Sequence, residues 1–171
     1  MILAQEMLQG AEDAGANTEL VRLSKLRIDP CAACYACRRT PESTCVIQDD
    51  MGAVLDSIRG ADALILASPI YFASVNGPMK TFLDRWFSLF GGGGPPIALR
   101  GKRLALAFSY GDPDPFLAGM GNALQMFKDA ATHLGMDMRG WVHASCVEQN
   151  DVLQNTDVLK KARDLGRSLV V

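Results

Sequence analysis

Apolar and polar positions in the middle of the chain predict a strand, a polar loop and a helix. Residues 63–67 (ALILA) form an unbroken apolar run, which is typical of a strand covered on both faces in a parallel sheet. We expect Ser68-Pro69 to end that strand, because proline has no N–H to donate to a ladder. Pro78 fits the first turn of a helix. Apolar residues then recur at helical spacing at Met79, Phe82, Leu83, Trp86, Phe87 and Phe90.

The remaining pattern alternates helices and strands. Helical stripes cover residues 1–15, 49–59, 120–135 and 158–169, short strand-like segments cover residues 18–23, 104–108 and 136–143, and a glycine- and proline-rich turn covers residues 91–96. This order predicts a doubly wound parallel sheet in a three-layer α/β/α arrangement. We expect one domain over residues 1–171, with a cysteine-rich insertion at about residues 28–48. Ligands of such sheets bind at the carboxyl ends of the strands.

Size and composition fit one globular domain and argue against several classes of protein. The chain has 171 residues, of which 49% are hydrophobic and 21% are charged, ordinary values for a globular protein. No apolar run approaches the ~20 residues that a bilayer requires, and the N-terminus lacks a signal-peptide pattern. We therefore expect a cytoplasmic protein with no membrane partner. A net charge of -2 gives no electrostatic reason to expect a nucleic-acid partner.

Four of the five cysteines are clustered in one segment. Cys31, Cys34, Cys37 and Cys45 follow the spacing C-x2-C-x2-C-x7-C, and thiolates this close on a tight loop can converge on one iron–sulfur cluster. The ferredoxin pattern fits poorly, because its fourth cysteine precedes a proline and Cys45 does not. Two alternatives stay open, an unmetallated set of thiols and a zinc site, although structural zinc sites usually split their ligands into two separated pairs. Cys146 stands apart and is interpreted as a small buried hydrophobe.

The loop after the central strand carries a family motif. Residues 68–77 (SPIYFASVNG), followed by Lys80, Phe82, Asp84 and Arg85, resemble the flavin loop of the NADPH-dependent FMN reductase family, and the cysteine spacing is similar to that of its iron–sulfur flavoprotein branch. The resemblance implies a flavodoxin-like fold, FMN bound by this loop and by the loop after the next strand, and a [4Fe–4S] cluster. The implied FMN-binding residues are Ser68, Pro69, Ile70, Tyr71, Phe72, Ser74, Val75, Asn76, Ser109, Tyr110, Gly111 and Asp112. The implied cluster ligands are Cys31, Cys34, Cys37 and Cys45.

The same resemblance implies an FMN-dependent oxidoreductase that passes electrons between a [4Fe–4S] cluster or NAD(P)H and a small acceptor. The flavin carries such chemistry and the protein supplies position and electrostatics, so no acid or base residue is assigned. The implied partners are a small-molecule electron acceptor, a ferredoxin-like electron donor and further copies of the chain in a homodimer or homotetramer. Two alternatives stay open, a cluster-free NAD(P)H:FMN or quinone reductase and a flavin- or metal-binding redox sensor without turnover.

One departure from the family pattern concerns the first strand. A flavodoxin-like sheet of order 2-1-3-4-5 begins with a strand and a phosphate-binding turn, whereas this sequence begins with a predicted helix. The missing strand would lie between residues 18–23 and 63–67, where each orphaned backbone group would cost ~1–3 kcal/mol. We therefore expect Met1 to be an internal methionine of a longer natural chain, and we expect weaker FMN binding without the upstream segment.

Overall fold

The computed structural model describes residues 1–39, 44–90 and 98–170, so the predicted turn at residues 91–96 and residues 40–43 of the predicted insertion lie outside the described residues. The helices of the described part are α1 (Ile2–Asp13), α2 (Met51–Gly60), α3 (Gly77–Arg85), α4 (Met120–Leu134) and α5 (Thr156–Arg167). Its strands are β1 (Ala63–Tyr71), β2 (Ser74–Val75), β3 (Arg103–Tyr110) and β4 (Asp137–Ser145). None of these described helices is long and apolar enough to cross a bilayer.

The strands form one sheet in the order β2-β1-β3-β4. β1 pairs with β3 in parallel, from Ala63 opposite Arg103 to Pro69 opposite Ser109. β3 pairs with β4 in parallel, and β2 is a short antiparallel partner at the end of β1. Because all three long strands run the same way, their carboxyl ends lie at one end of the sheet, where ligand sites are expected.

Helices cover both faces of the sheet, as predicted. Successive residues of β3 point to opposite faces, so Ala105 packs with α1 and α5, whereas Leu106 packs with α2, α3 and α4. The first face is filled by residues such as Leu3, Met7, Ala107, Val142 and Ala162. The second is filled by residues such as Leu55, Phe82, Phe108, Leu124 and Phe127. The three-layer α/β/α arrangement is confirmed.

β1 is longer than its sequence predicts. The expected stop at Ser68-Pro69 is wrong, because the strand continues to Tyr71 and returns as β2. Among the described strands, Pro69 pairs with Ser109 of β3 and with no residue of β2. A proline fits a strand where its missing N–H faces a side without a neighbour, so the ladder tolerates it here.

The predicted strand at residues 18–23 is wrong. Residues 17–22 have no regular secondary structure, and Leu23–Lys25 is a 3-10 turn. No strand of the described part lies between this segment and β1, so its backbone has no ladder to join. A cleft of about 1170 Å³ separates the two, lined by residues that include 17–24 and 63–69. The predicted gap beside β1 is therefore present as a cleft.

α1 and α5 cross at two glycines. A Cβ atom added at Gly166 would lie 1.9 Å from the carbonyl oxygen of Met7, and one added at Gly10 would lie 1.9 Å from that of Arg163. At the rim, Arg163 Nε donates to Asp13 at 2.9 Å. This hydrogen bond is the main reason that the pKa of Asp13 is lowered to about 2. The backbones of the two helices therefore touch where a side chain would separate them.

Replacing Gly166 with alanine should destabilise the fold, because the new methyl group would overlap Met7 and force α1 away from α5. Overpacking of this kind costs ~1–3 kcal/mol. Gly52 in α2 provides the control, since a Cβ there meets nothing within 4 Å and alanine at a helix position is favoured over glycine by up to ~1 kcal/mol. Urea unfolding followed by circular dichroism measures both variants. Equal free energies of unfolding would contradict the tight crossing.

Candidate functional site

β1 and β2 are joined by a turn with an unusual backbone. Tyr71 pairs with Ser74 across the hairpin, and the two residues between them, Phe72 and Ala73, have φ angles of 48° and 62°. Positive φ at both positions is the pattern of a type I′ hairpin turn, which normally uses Asn-Gly or Gly-Gly. Side chains such as Phe rarely adopt this region, and strain of this kind clusters at functional sites. The turn leaves Tyr71 61% exposed and Phe72 fully exposed.

The hairpin is held in place by α4. A Cβ atom at Gly119 would lie 2.3 Å from the Cα atom of Ala73, so only glycine allows this approach. Asn122 Nδ2 also donates to the carbonyl oxygen of Ala73 at 3.4 Å. Because these contacts meet the strained turn itself, α4 fixes the direction in which the exposed aromatic side chains point.

The other end of the hairpin is held by an asparagine cap. The Asn76 side chain accepts from Met79 N at 3.1 Å at the start of α3, and Asn76 N donates to Ser68 Oγ at 3.2 Å. Asparagine is among the preferred residues at this helix position. β1, the hairpin and α3 are therefore joined through one residue, Asn76.

The two predicted FMN-binding segments lie side by side, because Pro69 and Ser109 are ladder partners. In the first segment, Ser68, Ile70 and Val75 are buried, Pro69 and Asn76 are half-buried, and Tyr71, Phe72 and Ser74 are exposed. In the second segment, Tyr110 is buried, Ser109 and Asp112 are half-buried, and Gly111 is exposed. The buried members shape the strand end, and the remaining members are accessible to a ligand.

Tyr110 has a partner that the sequence does not reveal. Its hydroxyl lies 2.6 Å from Nδ1 of His143, on the neighbouring strand β4. Burial raises the pKa of Tyr110, and burial, followed by the charge of Lys161, lowers the pKa of His143. Both shifts favour the uncharged forms, so a neutral phenol and a neutral imidazole share this hydrogen bond. This hydrogen bond ties the loop after β3 to β4.

The loop after β3 continues as two consecutive aspartate turns. Asp112 Oδ1 accepts from Asp114 N at 2.8 Å, and Asp114 Oδ1 accepts from Phe116 N at 2.7 Å. The loop presents Phe116 and Leu117 to solvent, 83% and 77% exposed. The sequence pattern does not single out these two side chains, because they lie in a loop, where apolar residues follow neither a helical nor a strand period. They add apolar surface at the carboxyl end of the sheet.

The four clustered cysteines are free thiols. Cys31 and Cys34 are exposed, Cys45 is half-buried and Cys37 is buried. Burial, together with the charges of the other three cysteines, raises the pKa of Cys37. In the described part of the chain, no group of three or more candidate ligands is arranged to hold a metal ion. These thiols therefore show no preformed metal geometry in the residues that the structure describes.

The cysteine loop is docked onto the end of α3 and the 3-10 turn that follows it. The Arg38 guanidinium lies 5.3 Å and 5.6 Å from the ring centroids of Phe87 and Phe90. Tyr35 meets Phe87 edge to face, with 5.6 Å between ring centroids. Cation–π and edge-to-face contacts each contribute ~0.5–1.5 kcal/mol. The loop is therefore packed against the protein on its aromatic side.

Comparison with known proteins places the chain in a family. A family model described as NADPH-dependent FMN reductase matches residues 1–146. The chain belongs to this family. Two similar proteins are named iron–sulfur flavoproteins. One, from Archaeoglobus fulgidus, is 31% identical over 142 residues, which cover 81% of this chain and 57% of that protein.

The second, from Methanocaldococcus jannaschii, is 34% identical over 84 residues, which cover 49% of this chain and 42% of that protein. The chain thus spans about half the length of these relatives. Among solved structures, an NAD(P)H:quinone oxidoreductase from Methanothermobacter marburgensis has a TM-score of 0.72 at 19% identity, covering 98% of this chain and 90% of that chain. The predicted flavodoxin-like fold is confirmed.

Acid is expected to weaken the fold through His143. Its pKa lies below the ~6.5 of an unfolded histidine, so the unfolded chain binds more protons between the two values. Stability from this group is therefore present above pH ~6.5 and lost as the pH falls through the folded-state pKa. His143→Gln should flatten this part of the pH dependence relative to the wild-type chain. Urea unfolding between about pH 5 and 7.5 measures the slopes, and parallel slopes in the variant and the wild type would refute the assignment.

Proposed function

We propose that this chain is the FMN-binding part of an oxidoreductase that passes electrons between NAD(P)H or a [4Fe–4S] cluster and a small acceptor. The observation that supports it most directly is the register of β1 and β3, which sets the aromatic hairpin beside residues 109–112 at the carboxyl end of the sheet. Ligands of open α/β sheets bind at that end. Membership of the NADPH-dependent FMN reductase family supports FMN as the ligand and NAD(P)H as an electron donor.

The side chains at the carboxyl end of the sheet fit a flat cofactor that has an aromatic ring and polar groups. Tyr71, Phe72 and Phe116 offer exposed aromatic surface, and half-buried Ser109 and Asn76 offer polar groups beside it. FMN, when bound, would supply electron transfer in steps of one or two electrons. The aromatic side chains would cover the ring and exclude water from it. The Tyr110 hydroxyl is used by His143, so this pair would hold the loop in place.

The cysteine loop supports a second redox group, which would supply one-electron transfer. Its donor set of four thiols within 15 residues fits an iron–sulfur cluster, and two relatives carry that name. Iron would bind these cysteines as thiolates, so that cluster assembly would release their protons. Because no three candidate ligands of the described residues are arranged to hold a metal ion, loading would require the loop to rearrange. The alternatives are a cluster-free NAD(P)H:FMN or quinone reductase, or a redox sensor without turnover.

The partners follow from the same proposal. We expect a small-molecule electron acceptor and a ferredoxin-like donor, and we expect the chain to act in the cytoplasm. We also expect a homodimer or homotetramer, as the family resemblance implies. Anaerobic purification followed by absorption spectra and NADPH oxidation assays separates the alternatives, because a sensor would bind flavin or metal without sustained turnover.

Truncating Tyr71 should weaken FMN binding. Stacking on an aromatic side chain contributes ~1–3 kcal/mol per ring in related nucleotide systems, so Tyr71→Ala should raise the Kd for FMN about tenfold or more. Leu153→Ala is the control, because Leu153 is an exposed apolar residue in the 3-10 turn at Asp151–Gln154, outside both predicted FMN-binding segments. Fluorescence quenching of FMN measures the Kd. The same Kd in wild type and Tyr71→Ala would place the flavin elsewhere.

Replacing Cys34 with serine should abolish cluster assembly, because serine does not supply the soft thiolate that iron–sulfur clusters require. After anaerobic reconstitution, bound iron and acid-labile sulfide should fall to background in Cys34→Ser. Cys146→Ser should retain them, since Cys146 lies outside the loop, beyond β4. Zinc without sulfide in the wild-type chain would support the zinc alternative and contradict the cluster.

A further inference from the structure

The two borders of the sheet differ in how they are protected against further pairing. β4 exposes the charged residues Asp137 and Arg139, and a shift interrupts its register with β3. Charges and bulges of this kind keep an edge strand from adding another strand. β1 has neither device over residues 63–67, which are apolar and in continuous register with β3. Its free edge therefore has the residues of an inner strand.

Pro69 shows which backbone groups of β1 face away from β3. In a parallel pair, alternate residues of a strand turn both the N–H and the C=O group toward the partner. Pro69 is level with Ser109 but has no N–H to donate, so it belongs to the set that faces away. The register runs without a shift back to residue 63, and the same set therefore includes Ala63, Ile65 and Ala67. Among the described strands none lies against them, because β2 pairs only beyond Pro69.

The cleft beside this edge has apolar walls that suit one more strand. Besides β1, it is lined by Leu3 and Leu8 of α1 and by Val54 and Ile58 of α2. α1 and α2 cover opposite faces of the sheet. Side chains of a strand alternate between the two faces, so a strand in the cleft would meet apolar side chains on both. The cleft therefore favours an extended segment that is apolar throughout.

The far side of the cleft offers a second set of unused backbone groups. Within the described residues, no backbone–backbone hydrogen bond involves residues 17–21, although residues 17–24 line the cleft. Arg22 has extended φ and ψ angles of −95° and 95°. A strand in the cleft would thus have hydrogen-bonding groups on both of its edges, and it would give residues 18–23 the neighbour that a strand requires.

We propose that the free edge of β1 is a strand-binding site, which accepts a separate apolar peptide in extended conformation, parallel to β1 and as long as residues 63–69. The N–H groups of Ile65 and Ala67 donate to the peptide, and their C=O groups accept from it. The parallel direction follows from the unbroken apolar run of β1, which is typical of strands inside parallel sheets. In this mode of recognition, main-chain hydrogen bonds give affinity and alternate side chains give specificity.

A second copy of the chain does not fit this site. Its β4 edge has the charges and the register shift that oppose pairing, and its β1 edge lies inside its own cleft. A free peptide has neither obstacle, because it brings no helices of its own. The inference is independent of the proposed flavin and cluster, so its failure would leave the proposed function unchanged.

A synthetic peptide with the sequence of β3, residues 103–110 (RLALAFSY), is the probe, because this sequence already pairs in parallel with β1 on the other side. Ala67→Pro removes one N–H from the free edge and leaves the ladder with β3 in place. The Kd of the peptide should rise about tenfold or more, because a peptide carbonyl loses its donor. Ala67→Val is the matched control, since valine is similar in size to proline and keeps the N–H. Isothermal titration calorimetry measures the Kd. Equal values for the two variants, or no binding to the wild-type chain, overturn the proposal.

Amide hydrogen exchange followed by NMR tests the site without any substitution. In the free chain, the N–H groups of Ile65 and Ala67 should exchange faster than those of Leu64 and Leu66, which face β3. Saturating peptide should slow exchange at Ile65 and Ala67 at least about tenfold, the change that corresponds to one stabilised hydrogen bond, and should leave Arg139 on β4 unchanged. Absence of this slowing overturns the proposal. Protection that rises with the concentration of the chain alone would assign the edge to a second copy and also overturns it.

Discussion

The buried pair of Arg85 and Asp49 is the interaction on which the arrangement of the two candidate sites depends. Their side chains are 1% and 0% exposed, and Asp49 also accepts from the backbone N–H of Met51 at the start of α2. The pair therefore fixes α2, α3 and the base of the cysteine loop relative to one another. Burial disfavours a charged Asp49, but hydrogen bonds from Arg85 and from the backbone of Asp29 and Met51 outweigh it and lower the pKa of Asp49. Removing one partner of such a pair costs ~3–5 kcal/mol, because the other charge is left buried alone.

α3 carries this constraint from one candidate site to the other. The helix begins at the Asn76 cap of the predicted flavin loop and ends at Arg85, which contacts both ends of the cysteine loop. With a rise of 1.5 Å per residue, Gly77 and Arg85 lie roughly 12 Å apart along the axis. A change in the cysteine loop that moves Arg85 would therefore act on a rigid helix whose other end is hydrogen-bonded to the hairpin. This geometry gives the two redox groups of the proposal a direct structural connection.

Much of the fold can be predicted from the sequence, because the local signals agree with the tertiary structure. Pro78 lies at the start of α3, and Gly135, with φ of 67°, ends α4 as expected. The errors concern contacts that local sequence does not encode. The β1–β2 hairpin uses Phe72 and Ala73 in place of a glycine-containing turn, and its strain is tolerated because Gly119 leaves room for it.

The other errors and omissions have the same origin. Residues 18–23 have strand-forming side chains, but a strand also requires a hydrogen-bonding neighbour, and the cleft beside β1 separates them from one. The pairs Arg85–Asp49 and Tyr110–His143 join residues 36 and 33 positions apart, and a single sequence carries no signal for such pairs. The predicted site residues remain predictions, although the register of β1 and β3 brings the two segments together.

The two segments of the predicted flavin site differ in how firmly the fold holds them. β3 lies between two strands and most of its residues are fully buried, whereas Leu64 and Ile65 of β1 are half-buried along the cleft. Regions with fewer buried apolar contacts open locally at lower free energy. The hairpin therefore belongs to the strand that opens more easily. Its side chains are held in place more by α4 and the Asn76 cap than by the sheet. The loop that begins at Tyr110 starts from the most buried strand and is further fixed by His143. At the same end of the sheet, the structure thus combines an adaptable hairpin with exposed aromatic side chains and a more rigid loop with polar side chains.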